Sequence, residues 1–359
     1  MFDTFTYRFL HFRRPTLTPS SLPSLPQGIE RFFVDTPGGQ IEVLHGKPSK
    51  QARHGATPLF FVHGGMGGAW VWLEYLSFFA SRGIPCYAVS MRGHGSSWHP
   101  SYLRMVYFTT KRMLADDVVA AIKWVQKRHD GREVVYIGHS SGGGLGQYIL
   151  SAPEFGHVKV NGLVLAGAVP GFGSLGVYIN WWRLDPWFSF RMIFHGWHPN
   201  SPLSHPVLTR RVFFGEQLPG SYLMKFQQRA SRYESFLWPL GMMSRFVKPE
   251  NLLPRITSWG ANKVQGIMVL GGEIDKIMTI PVMEKLANTY RESYTGLVAQ
   301  KKIEGDDRDG VKKLLGDGGK DTVGQGVRCC YVPGAGHHLQ NDVTWEIGAQ
   351  KLLAFYEQL

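Results

Sequence analysis

The rhythm that begins at Pro58 restricts this chain more than any other feature. Short, wholly apolar runs alternate with segments of helical period: Leu59-Phe-Phe-Val62, a helix over 72–81, Tyr87-Ala-Val-Ser90, a helix over 110–129, a run over 133–137, a helix over 141–150, then a run over 162–168. Runs this short and this apolar read as strands covered on both faces. Each strand reached through a helix lies parallel to the one before it. The rhythm therefore predicts an α/β domain with a mostly parallel central sheet. A hairpin precedes it, with strands over 32–35 and 40–44 flanking Thr36-Pro-Gly-Gly39.

Near Val169 the alternation stops. Residues 171–262 show no clear strand and carry six of the chain's eleven tryptophans (Trp181, Trp182, Trp187, Trp197, Trp238, Trp259). They also hold ten Lys and Arg against four acids. The alternation resumes at Ile267-Met-Val-Leu270 with a helix over 281–291, and ends with a strand over 327–332 and a helix over 343–358. The organisation expected is a core of residues 29–170 and 263–359, interrupted by a helical cap over 171–262. The Gly- and charge-rich stretch 297–326 reads as a flexible loop insertion in that core.

Four motifs carry chemistry. Gly138-His-Ser140-Ser141-Gly142 is a G-x-S-x-G between a strand and a helix. A sharp strand-to-helix turn needs small residues two before and two after the serine, and it lifts the hydroxyl clear of the sheet. One strand–helix unit upstream lies His63-Gly64-Gly65-Met-Gly67-Gly68, whose glycines let backbone approach a developing negative oxygen. The N–H groups of Gly65 and Ser141 are the candidate donors to an oxyanion. Gly334-Ala-Gly336-His337-His338 places a histidine on a loop after the last strand, where an unperturbed pKa near neutrality suits a general base. His337 is the choice and His338 the neighbour to exclude. Ile267–Leu270 is followed by Gly271-Gly272-Glu273-Ile-Asp275, with Asp275 as the acid that orients the base and Glu273 as its alternate.

With these residues, and with Ser90-Met-Arg92-Gly93-His94-Gly95-Ser96-Ser97, the chain resembles the esterase/lipase/peroxidase-like branch of the α/β-hydrolase superfamily over roughly residues 29–359. That branch writes the last segment D-x-R-G-x-G-x-S, and here Ser90 stands in place of its aspartate. The resemblance implies the α/β-hydrolase fold, a helical cap inserted after the sixth strand, and a Ser140, His337, Asp275 triad in the order expected of the fold. Asp275 and His337 lie farther apart than the family pattern, and the stretch 297–326 accounts for the excess.

The function this implies is hydrolysis of a carboxylic ester or lactone with an apolar or aromatic acyl group, with no cofactor and no metal. Carbon–carbon bond hydrolysis or a lyase or cyclase reaction on the same triad is the alternative, since fold and triad do not fix the reaction. A non-catalytic ligand-binding protein is the third reading. Trp181, Trp182 and Trp187 are the candidate substrate-binding residues, because aromatics line apolar pockets.

A formal charge of +12 favours anionic partners, yet the Lys and Arg residues are scattered and form no nucleic-acid-binding arm. The partner expected is a small molecule, and no stretch reads as a transmembrane segment. Three cysteines, Cys86, Cys329 and Cys330, make a poor disulfide framework and point to a reducing, cytoplasmic compartment. Residues 1–28 read either as an arm whose aromatics dock on the domain or as a targeting segment. Arg8, Arg13 and Arg14 among Ser and Thr suit a mitochondrial address.

Overall fold

The computed structural model describes the chain except residues 1, 17–21, 49–54, 261–264, 306–309 and 315–319. A hairpin of β1 (Ile29–Thr36) and β2 (Gly39–Gly46) opens the sheet, turning at the Thr36–Gly39 pair. The parallel strands follow as β3 (Leu59–Val62), β4 (Cys86–Val89), β5 (Val135–His139) and β6 (Gly162–Ala166). Between them run α1 (Leu73–Ala80), α2 (Lys111–Arg128) and α3 (Ser141–Ser151). Thr110 caps α2, its hydroxyl accepting from the Met113 N–H.

Between β6 and the next strand the described residues make six α-helices, two short 3-10 turns and no strand: α4 (Leu175–Leu184), α5 (Phe188–Phe194), α6 (Pro206–Phe213), α7 (Gly220–Arg229), α8 (Leu237–Leu240) and α9 (Pro249–Leu252). The sheet resumes with β7 (Gln265–Gly272) and α10 (Ile280–Ala299). It closes with β8 (Lys312–Lys313), β9 (Thr322–Gly324), β10 (Gly326–Val332) and α11 (Trp345–Tyr356).

The strand order is β1-β2-β4-β3-β5-β6-β7-β10-β9-β8, with β4, β3, β5, β6, β7 and β10 parallel and both margins antiparallel. Every residue of β3, β5, β6, β7 and β10 is buried, as expected of strands with helices on both faces. All three cysteines are free and buried.

Two expectations need correction. The helix over 281–291 continues two turns further as α10, because Tyr294 and Leu297 keep an apolar face turned to the core. Residues 297–326 are also not simply a loop. Within them β9 pairs antiparallel with β10, and β8 pairs with β9 at the sheet edge. Asp321 is buried there, accepting from the Tyr331 N–H at 3.0 Å and pairing with Lys351 of α11 at 2.5 Å. Residues 306–309 and 315–319 of that stretch lie outside the described residues.

The N-terminal arm docks on the helical segment. Phe5 and Tyr7 pack on Phe194, and Phe12 packs on His198 with ring centroids 4.9 Å apart. Ser204 donates to the Thr4 carbonyl, and His198 Nε2 donates to the His11 carbonyl. No helix among the described residues is long and apolar enough to cross a membrane.

Candidate active site

Ser140 stands between β5 and α3 with φ 51° and ψ −123°, a backbone that residues other than glycine rarely adopt. Its surroundings hold it there. The Ser140 N–H donates to Ala166, and its carbonyl accepts from Gly143, Gly144 and Val169. Space is equally tight. A Cβ at Gly138 would lie 2.5 Å from the Gly143 Cα, and one at Gly142 would collide with the His63 carbonyl. The glycines two before and two after the serine are therefore steric requirements of the turn.

His337 and Asp275 converge on this serine from the loops after β10 and β7. His337 Nε2 lies 3.0 Å from Ser140 Oγ, and His337 Nδ1 lies 2.7 Å from Asp275 Oδ2. The other Asp275 oxygen accepts from the N–H groups of Ile277 and Met278, both at 2.9 Å, so the carboxylate cannot swing away. His337 and Asp275 are buried. An imidazole held this way carries its proton on Nδ1 and presents a bare Nε2 to the hydroxyl.

The alternates lie elsewhere. Glu273 accepts from the Gly334 N–H and pairs with Lys320, away from the imidazole. His338 is wedged among Phe213, Phe214 and Phe226. Burial, and then the nearby His337, push the His338 pKa down to about 3, so it is neutral at physiological pH.

A cavity of about 160 Å³ opens beside Ser140 and His337, and Gly65 and Ser141 both line it. Its apolar wall includes Trp181, Phe188, Phe213 and Trp238. The expectation for Trp182 and Trp187 is corrected here: they are 54% and 44% exposed and do not line this cavity. Successive residues of a helix point about 100° apart, so α4 turns Trp182 outward when Trp181 turns in.

Three residues escaped the sequence reading. His139 is buried behind the serine and its Nε2 donates to the His337 carbonyl at 2.9 Å, fixing the loop that carries His337 to the turn at Ser140. Glu234 of the helical segment lines the cavity. Its Oε2 accepts from the Met66 N–H at 2.7 Å and meets His94 Nε2 at 2.8 Å. Burial lowers the His94 pKa, but the Glu234 charge and hydrogen bond outweigh it, and the net shift is upward. Met66, at φ 62°, follows Gly65 directly, so this contact pins the strained glycine loop. Glu42 is the third. Its Oε2 accepts from Ser90 Oγ and the Ser96 N–H, so a carboxylate from β2 supports the turn in which Ser90 replaces the family's aspartate. Arg92 of the same turn pairs with the buried Asp117 at 2.6 Å, and no local signal marked Glu234.

The model of the alpha/beta hydrolase family matches residues 59–342, most of the chain and all of the residues above except Glu42. The chain belongs to the α/β-hydrolase family. Among curated relatives, this α/β hydrolase is 32% identical to Protein ABHD8 of Homo sapiens over 120 residues, 33% of this chain and 26% of that protein. It is 37% identical to Protein ABHD8 of Bos taurus over 84 residues, 23% of this chain and 18% of that protein. The matches thus span about a quarter or less of those relatives' length.

Among solved structures, a thermophilic esterase from Thermogutta terrifontis superposes with a TM-score of 0.57 at 17% identity, over 91% of this chain and 98% of that one. A membrane phospholipase A, described as a bacterial virulence factor, gives a TM-score of 0.57 at 16% identity, over 92% of this chain and 86% of that one. At these identities the likeness is one of fold.

Proposed function

We propose that this α/β hydrolase is a serine hydrolase of carboxylic esters or lactones. Ser140 is the nucleophile, His337 the base and Asp275 the residue that orients it, and residues 171–262 form the lid. The observation that carries the reading is the hydrogen-bonded line from Ser140 Oγ through His337 to a carboxylate held by two backbone N–H groups.

Ser140 Oγ attacks the carbonyl carbon as its proton passes to His337 Nε2. Asp275 stabilises the imidazolium without taking the proton. The negative oxygen falls between the N–H groups of Gly65 and Ser141, donors each worth roughly 3–4 kcal/mol in the transition state. The C–O bond breaks, the alcohol leaves with the proton from His337, and the acyl group stays on Ser140. Water then repeats the sequence, giving up its proton to His337 and releasing the acid.

The apolar wall favours an apolar or aromatic acyl group. At about 160 Å³ the cavity is smaller than the roughly 300–1,000 Å³ of drug-sized ligand sites, so the acyl group is of modest size.

Purified protein assayed on p-nitrophenyl esters of two, eight and aryl carbons tests this reading. Expected is turnover that favours the longer or aryl acyl groups over acetyl and is lost in Ser140→Ala. Hydrolysis that survives Ser140→Ala within tenfold of the intact enzyme would remove Ser140 from the role.

A further inference from the structure

A second cavity of about 300 Å³ abuts the first, and both are lined by Gly65, Met66 and Phe213. The N-terminal arm builds one side of it, bringing Arg8 and His11 opposite Arg232, Asn200 and Ser231 of the helical segment. No aspartate or glutamate lines it among the described residues, and neither Arg8 nor Arg232 has an acid within ion-pair distance there. The positive charge facing this space is therefore unbalanced by the protein itself.

Two further polar atoms await a partner. Asn200 Oδ1 and Ser231 Oγ are buried without a hydrogen bond, in residues each only 6% exposed. Buried polar atoms are nearly always satisfied, so an unsatisfied pair on a cavity wall points to something that enters. The serine hydroxyl can donate to an anionic oxygen, and the amide oxygen can accept from a hydroxyl. Asn200 Nδ2 is already committed to the Ser231 carbonyl, which fixes that acceptor in place.

We propose that this compartment receives an anionic group, a carboxylate or a phosphate, carried on the leaving alcohol of the ester; the inference rests on the hydrolase reading of Ser140. Gly65, the candidate oxyanion donor, lies at the junction of the two cavities. An ester carbonyl held there turns its acyl group toward Trp238 and its alcohol toward the arm. The second compartment supplies the room that the first lacks. It also gives the N-terminal arm a task in substrate selection.

Three octanoyl esters that share a glycerol-like alcohol test this: glycerol, glycerate and glycerol phosphate. The intact enzyme is expected to show a kcat/KM at least tenfold higher for an anionic ester than for the glycerol ester, falling as salt is added. That ratio is expected to drop at least tenfold in Arg8→Gln/Arg232→Gln, with folding checked by circular dichroism. Whichever anionic ester carries the larger ratio identifies carboxylate or phosphate as the group received.

Equal rates on all three esters, with Ser140-dependent turnover of the neutral one, overturn the subsite and leave the hydrolase reading standing. If no ester is turned over, the hydrolase reading fails and calorimetric titration with glycerate and glycerol phosphate decides the subsite alone. Binding that is lost in the double arginine variant supports it. Absence of binding overturns it.

Discussion

The strand–helix core and the helical segment after β6 bury their apolar residues by different rules. In β3, β5, β6, β7 and β10 a place in the strand is enough, because helices cover both faces of the sheet and every residue is enclosed. In α4 and α5 it is not. Trp181 turns toward the cavity while Trp182, Phe190, Ile193 and Phe194 are exposed. Burial in a parallel strand is settled by local sequence, whereas burial on a short helix depends on which distant element covers it. The site sits on the border between these regimes: Ser140, Asp275 and His337 follow the ends of β5, β7 and β10, and Glu234 comes from the segment above.

If the core sets the chemistry, the proposed acid and base tolerate least. Asp275→Asn and His337→Ala are each expected to lower kcat/KM by roughly 10⁴-fold, with the protein still folded. Circular dichroism with ester kinetics checks this, and a loss under tenfold in either variant would break the assignment.

The insertion gives the next largest effect, on stability rather than rate. Removing one partner of a buried ion pair costs about 3–5 kcal/mol. Asp321→Ala, which removes the carboxylate that Lys351 pairs with and the Tyr331 N–H donates to, should lower the denaturation midpoint by a corresponding amount. An unchanged midpoint would mean that β8 and β9 are dispensable to the core.

Glu234 joins the two regions. In Glu234→Gln the Met66 N–H keeps an acceptor, but His94 loses its charge partner. Displacing a group by an ångström far from the reacting atoms can cost about 10²-fold, and a fall in kcat/KM of that order, carried mainly by kcat, is expected. A change confined to KM would make Glu234 a part of the pocket wall and not a support of the glycine loop.

Smallest is the contrast between Trp181 and its neighbours Trp182 and Trp187. Trp182→Ala and Trp187→Ala should change stability by about 0.5 kcal/mol or less, as exposed positions do. Trp181→Ala should shift the acyl-length preference by about tenfold or more. Equal shifts in all three variants would erase the difference between the inward and outward faces.

Most of the core was readable from sequence because its strands are short, continuous and punctuated by glycine. The elbow announced itself for the same reason: Gly138 and Gly142 occupy places where a side chain collides with backbone. Asp275 and His337, the candidate acid and base, were legible from their places after strand ends. Glu234 was not, because its partners Met66 and His94 are brought to it by packing, across more than a hundred residues of chain. Trp182 and Trp187 misled for a related reason: helical period says which residues share a face, not which face is covered. The insertion was misread because two- and three-residue strands at a sheet edge leave no periodic trace.

The proposed function stands or falls with the activation of Ser140 by a base and carboxylate assembled from the core. Labelling the intact protein with a fluorophosphonate, then mapping the adduct by peptide mass spectrometry, tests it most directly. One adduct is expected, on Ser140, absent in Ser140→Ala and formed far more slowly in His337→Ala and Asp275→Asn. An adduct on another residue, or labelling of Ser140 at an undiminished rate without His337, would contradict it.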